Sequence, residues 1–111
     1  MSHDFLVYEH WRPDTGKCFY VGKGKKRRSH SFEPRNSRYG RIIKKLRQNG
    51  FSPEIRIVRQ HLTETEAFEL EIATISLWRA RGIEIANYTN GGDGASGYTH
   101  TAATKKVLRQ K

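Results

Sequence analysis

Phe5-Leu6-Val7-Tyr8-Glu9-His10-Trp11 and Lys17-Cys18-Phe19-Tyr20-Val21, separated by Arg12-Pro13-Asp14-Thr15-Gly16, decide the architecture. Both flanks are rich in β-branched and aromatic side chains. The linker joins a proline, which presets φ, to a glycine, which adopts the backbone angles other residues avoid. The stretch therefore predicts a β-hairpin. A turn centred on Asp14 sets Tyr8 opposite Tyr20 and His10 opposite Cys18. Side chains alternate faces along a strand, so the two tyrosines project from the same face of the sheet.

Working outward, Lys23 to Ser37 carries almost no apolar residue and reads as a loop. Arg38 to Asn49 has Tyr39, Ile42, Ile43 and Leu46 at helical spacing, with Gly50 as a stop. Glu54 to His61 alternates as a third strand, placing Ile55, Ile57 and Arg59 on one face. Thr63 opens a second helix, and Glu66 three positions on completes a capping box. That helix is expected to reach about Arg81, with Gly82 ending it. Residues 83–90 read as a short extended piece, Gly91 to Gly97 as a loop, and Tyr98 to Lys111 as a basic tail with a short helix. The order strand, strand, helix, strand, long helix predicts an α+β fold: a small, three-stranded, mostly antiparallel sheet flanked by helices. One domain over residues 1–92, followed by the tail at 93–111, accounts for the whole length.

Lysine and arginine number 21 against 11 acids, giving a net charge of +10 and an isoelectric point near 10.1. A polyanion is the implied partner, and nucleic acid the commonest one. The sequence has one cysteine, Cys18, which excludes an internal disulfide and a cysteine-based zinc site. No apolar run is long enough to span a bilayer, and the first residues lack the apolar core of a secretory signal. The sequon Asn87-Tyr88-Thr89 is therefore read as chance, and a cytoplasmic, DNA-associated location is expected, with no membrane partner.

On the second helix, Thr65, Glu66, Glu69, Ala73, Ser76 and Ala80 gather on one side, the wet one. Glu71 falls almost opposite, among Ala67, Thr74, Ile75 and Trp78. A carboxylate on a buried face needs compensation, by an arginine or by a divalent cation. Magnesium suits a single carboxylate because it keeps most of its waters. Between Lys23 and Arg47 lie 11 of the 21 basic residues, opposed only by Glu33. This run begins after a strand and continues along a helix, as a stripe tracking a phosphate backbone would. Lys25, Lys26, Arg27, Arg38, Arg41, Lys44 and Lys45 are its nucleic-acid-binding candidates. Gly22-Lys23-Gly24 is no nucleotide loop: Arg27 stands where a third glycine belongs, and no Gly-Lys-Ser/Thr follows. Gly91-Gly92-Asp93-Gly94 lacks the required lysine. No nucleotide cofactor is implied, and the five histidines show no zinc-type pair. His30, alone within the basic loop, suits a phosphate contact or proton transfer. Tyr8 and Tyr20 are either core aromatics or cleft residues. As a base, a phenol needs its pKa lowered by cations, for which Lys23, Arg27 and Arg28 are placed.

Taken in order, these residues resemble the GIY-YIG nuclease family over roughly residues 5–92. Leu6-Val7-Tyr8 looks like the Gly-Ile-Tyr motif, with leucine for glycine, and Tyr20-Val21-Gly22 like Tyr-Ile-Gly. The family's arginine matches Arg28, or Arg27 with a different gap, and its histidine matches His30. Glu71 and Ile75 match a Glu-x-x-x-Ile pattern, and Asn87 the late asparagine. From Gly92-Asp93-Gly94 to His100-Thr101 the chain is similar to the start of a DNA-binding module of phage and homing nucleases, here truncated. The resemblance implies a metal-dependent endonuclease cutting the phosphodiester backbone of double-stranded DNA as a monomer or transient dimer. It implies one Mg2+ or Mn2+ ion per site, held by Glu71. Tyr8 would take a proton from water with Tyr20 assisting. Arg28 would neutralise the phosphate in the transition state, Lys23 would acidify the phenol, and Asn87 would brace the site. The competing expectation is a nucleic-acid-binding module that keeps the fold without cleavage; a small ribosome-associated protein is a third.

Overall fold

The computed structural model describes residues 3–33 and 35–87. Its elements run β1 (Phe5–Arg12), β2 (Lys17–Gly24), α1 (Lys26–Ser29), α2 (Ser37–Gln48), β3 (Glu54–Leu62) and α3 (Glu64–Ala80). The strands form one antiparallel sheet in the order β2-β1-β3, an α+β arrangement. Among the described residues no helix is long and apolar enough to cross a membrane. The extended piece beyond Asn87, the glycine loop and the tail helix lie outside the described residues.

The hairpin forms where expected, but its register differs. Arg12 pairs with Lys17, leaving a four-residue loop in which Gly16 takes φ +70° and donates its N–H to Arg12 O. Arg12 also forks onto the Asp14 carboxylate at 2.8 Å across that loop. A register shift between His10 and Trp11 then adds one further residue on β2, so Tyr8 faces Gly22 and Tyr20 faces His10. The expected pairs, Tyr8 with Tyr20 and His10 with Cys18, are thus displaced by two positions. A two-residue displacement preserves the alternation, and the tyrosines still share a face.

A second shift, between Val7 and Tyr8 on the other side of β1, moves Arg59 opposite Val7. Arg59 therefore leaves the face that Ile55 and Ile57 share with His10 and Tyr8. An extra residue in one strand bends it and inverts the alternation beyond.

The sheet is packed on both faces. Val7, Cys18 and Val21 meet Leu62, Ala67, Ile75 and Ile85 in one cluster. Phe19 meets Tyr39, Ile43, Leu46 and Ala86 in another. Phe19 and Tyr20, consecutive at the bulge, both belong with the second cluster, whereas Cys18 belongs with the first. The predicted loop from Lys23 to Ser37 is partly ordered: β2 extends to Gly24, and α1 adds one helical turn. Asn36 caps α2 by accepting the Tyr39 N–H at 2.8 Å. α3 carries the capping box in full, Thr63 and Glu66 each accepting the other's backbone N–H. Its predicted wet face is exposed at Thr65, Glu66, Glu69, Ala73 and Ala80, with Ser76 half-buried.

Candidate active site and nucleic-acid face

Tyr8 leaves the middle strand with its hydroxyl lying over Gly22, and only 1% of the residue is exposed. Around it stand His10, its ring centroid 5.0 Å away, and Arg35, whose Nη2 donates to the Tyr8 hydroxyl at 3.0 Å. Tyr20, half-buried, stacks edge-on against Tyr39 at 5.0 Å. The guanidinium of Arg35 sits over both rings, 5.4 Å from Tyr20 and 5.1 Å from Tyr39. Its Nη1 donates to the Tyr39 hydroxyl at 3.3 Å and to the carbonyls of Ser31 and Glu33. Its Nη2 also reaches Arg28 O at 3.1 Å. Arg35 thus ties the segment between α1 and α2 down onto the phenols. The sequence placed it in the basic run and gave it no site role. An Arg amid Ser, Phe, Glu and Pro looks like surface charge, and its reach to β1 is a tertiary fact.

Glu71 is buried, at 6% exposure, beside Ala67, Phe68, Thr74 and Ile75, as the helical phase required. Its charge is felt by both phenols and raises the pKa of each. Both phenols and Arg35 are thus in contact, and Glu71, carried by α3, lies within electrostatic reach of the phenols. The acidity of the phenols runs against expectation. Burial raises Tyr8 and Tyr20 above the ordinary tyrosine value, and Arg35 and then Arg28, pulling down, only partly offset it. Desolvation of a phenolate outweighs these cations. Tyr39 is pushed up to about 12 by the same cause.

Lys23 pairs with Val7, so it lies on the opposite face from the phenols. The acidifying role expected of it falls to Arg35 and Arg28. Arg28 is exposed on α1, its side chain resting against Gly24, where any Cβ would stand 3.0 Å from its Cβ and Cγ. His30, the C-cap of α1, is exposed. Asn87 is bonded to β2: its Oδ1 accepts the Val21 N–H at 3.0 Å and its Nδ2 donates to Val21 O at 2.8 Å. It mimics a neighbouring strand between Tyr20 and Gly22. Asn36 Nδ2 donates to Ala86 O at 2.8 Å and Arg38 Nη1 to Ile85 O at 3.2 Å, fastening the same segment to α2.

His10, which carried no role in the sequence, is fully buried. Its Nε2 lies 2.8 Å from Ser29 O and its Nδ1 2.9 Å from the Tyr39 hydroxyl. A carbonyl can only accept, so Nε2 carries the hydrogen and Nδ1 accepts from the phenol. Burial lowers its pKa to about 4. It is a neutral structural wedge linking β1, α1 and α2.

Lys25, Lys26, Arg27, Arg28, Arg38, Arg41, Lys44, Lys45 and Arg47 are all exposed. Lys25 also pairs with Asp4 at 3.5 Å. Beside α2, Phe32, Ile43, Lys44 and Arg47 line an open groove of about 600 Å3. Among the described residues no group of three His, Cys, Asp or Glu side chains gathers as a metal site. Comparison with protein-family models, with curated proteins and with solved structures gave no match.

Proposed function

We propose that this chain is a divalent-metal-dependent endonuclease that hydrolyses phosphodiester bonds of DNA. The observation that carries the reading is the contact of Arg35 with Tyr8 and Tyr20, with the buried Glu71 within electrostatic reach of both phenols, beside an exposed cationic surface. The order of motifs shared with GIY-YIG nucleases supports it. Glu71 fits a magnesium or manganese ion, since such ions accept one carboxylate and complete their shell with water and substrate oxygens. When bound, the ion supplies charge stabilisation at the scissile phosphate.

The chain's own residues do the rest. The cations of α1 and α2 draw the DNA backbone against the sheet edge. Arg28 offsets the charge that grows on phosphate as the new bond forms. Tyr8 and Tyr20 are neutral phenols at pH 7, with less than about one part in a thousand ionised even at the unperturbed value. They therefore act first by donating O–H bonds that orient water and phosphate. If Tyr8 also removes a proton, cleavage rises about tenfold per pH unit through the alkaline range, as a base far below its pKa requires.

Incubating the chain with supercoiled plasmid and magnesium, with and without chelator, tests the proposal. Nicked or linear product is expected with metal alone, and none from Glu71→Gln. Cleavage that survives chelation or Glu71→Gln removes the metal reading. Tyr8→Phe should lower turnover by at least about a hundredfold, the scale of losing one oriented catalytic group, while DNA affinity holds. The near-complete burial of Tyr8 favours a second reading, a DNA-binding module without cleavage. Tight binding with no product under any divalent metal would establish that alternative.

A further inference from the structure

Among the described residues, Arg35 is a cation held entirely by neutral oxygens. Its partners are the hydroxyls of Tyr8 and Tyr39 and the carbonyls of Arg28, Ser31 and Glu33. Among the described residues no carboxylate bonds to it, and its Nε is buried with no acceptor. The Nε of this half-buried side chain is out of water, and an unfilled buried donor calls for an acceptor. The distribution is also uneven. Nη1 has two hydrogens and three acceptors, while Nε–H has none. Exchanging a loop carbonyl for an anionic oxygen would therefore leave every donor filled and neutralise the charge. The cation–π contacts with Tyr20 and Tyr39, at 5.4 and 5.1 Å, and the bonds of Nη1 and Nη2 hold the guanidinium in place, and a guanidinium held in advance is prepared to take a phosphate oxygen.

We propose that Arg35 is a phosphate-binding residue of this site, parked on neutral oxygens in the free protein and transferred to a phosphodiester in the complex. The inference rests on the reading of the site as one for DNA. Because Nη2 already touches the Tyr8 hydroxyl, a phosphate taken by Arg35 arrives between the two phenols. Arg28, exposed on α1, meets the same backbone from outside. The segment from Ser31 to Glu33, tied to the guanidinium by two carbonyls, gives one of those bonds up as the phosphate enters.

The test has two arms. In the first, the 15N-arginine-labelled chain is titrated with inorganic phosphate and followed through the side-chain Nε–H resonances. The expected result is a saturable shift of the Arg35 resonance, identified by its loss in Arg35→Lys. A shift confined to Arg27 and Arg28 overturns the proposal, and so does a linear drift of all arginines alike. The second arm measures affinity for a short DNA duplex against salt. Arg35→Gln should bind about tenfold more weakly, and its plot of log K against log salt should flatten by about 0.9, the loss of one phosphate contact. Lys17→Gln removes the same charge from the far end of the hairpin and should change neither. If Arg35→Gln fails to fold, Arg35→Lys and the wild-type titration still decide. Equal behaviour of Arg35→Gln and Lys17→Gln sinks the idea. Plasmid cleavage by the wild-type chain in the same preparation separates the two claims. Cleavage without a response at Arg35 defeats only this inference, whereas a response without cleavage defeats only the nuclease.

Discussion

Gly22 shows what the second tyrosine motif means physically. A Cβ at that position would lie inside 3.0 Å of the Tyr8 hydroxyl and ring, so glycine is required where the phenol crosses β2. Gly22→Ala should destabilise the fold by about 1–3 kcal/mol, the usual cost of overfilling a packed site, and displace Tyr8. Thermal unfolding reads the first effect and plasmid cleavage the second; an unchanged melting temperature would contradict the packing described. His10 makes a separate prediction. Its pKa is about 4 in the folded chain against 6.5 unfolded. The charged form is therefore disfavoured by folding, and stability is complete above pH 6.5 and drains away as pH falls toward 4. Between pH 7 and pH 5 the loss attributable to His10 is about 2 kcal/mol. Urea unfolding of His10→Gln should lack that slope, although the variant will be less stable throughout for want of its bond to Ser29. At this scale the sequence was partly legible. Glu71 was found by helical phase, because burial of a charge on an apolar face shows in the pattern itself. Arg35 and His10 were not, since each acquires its role from residues far off in the chain.

Among the elements, β2 is completed by a side chain. Val21 is fully buried, and both of its backbone groups bond to the Asn87 amide. Asn87→Ala leaves a buried N–H and a buried C=O without partners, at about 1–3 kcal/mol each. Asn87→Asp retains only the acceptor and sets a carboxylate against Val21 O, so it should rescue little. Amide exchange at Val21, alongside the melting temperature, checks this. Protection at Val21 that survives Asn87→Ala would show that another group serves the strand. The hairpin, the apolar face of α2 and the capping box of α3 could be read directly from spacing, because each is a local rule satisfied within a few residues. The β-bulges could not. Whether Phe19 stays in alternation or joins Tyr20 on the α2 side depends on how Tyr39 and Ile43 fill the space beneath it. That packing, together with the four-residue loop, sets Tyr8 over Gly22.

At the scale of the molecule, the two cores explain why charge and site fall together. α3 covers one face of the sheet with Ala67 and Ile75, α2 the other with Tyr39, Ile43 and Leu46. The two periodicities gave the α+β class, but which helix covers which face is set by long-range contacts that no local pattern encodes. Turning Tyr39, Ile43 and Leu46 inward leaves Arg41, Lys44, Lys45 and Arg47 outward, adjoining Arg27 and Arg28 through the segment held by Arg35. Nine cations from residues 25–47 are thus solvent-facing. If six of them meet phosphates, log affinity for duplex DNA should fall with log salt at a slope of about −5, since each neutralised phosphate contributes about 0.9. Lys44 and Lys45 lie on the exposed side of α2, away from Tyr8. Replacing both with glutamine should reduce the slope by about 1.8 and weaken binding to any sequence alike. Their loss should leave the unfolding free energy within about 0.5 kcal/mol of wild type, as surface changes do. Fluorescence anisotropy across a salt series gives the slope, and two duplexes of unrelated sequence give the comparison. An unaltered slope would mean that DNA approaches from elsewhere. A loss felt by one sequence only would make these lysines readers of bases, and the cationic face would then be a recognition surface instead of a track for the backbone.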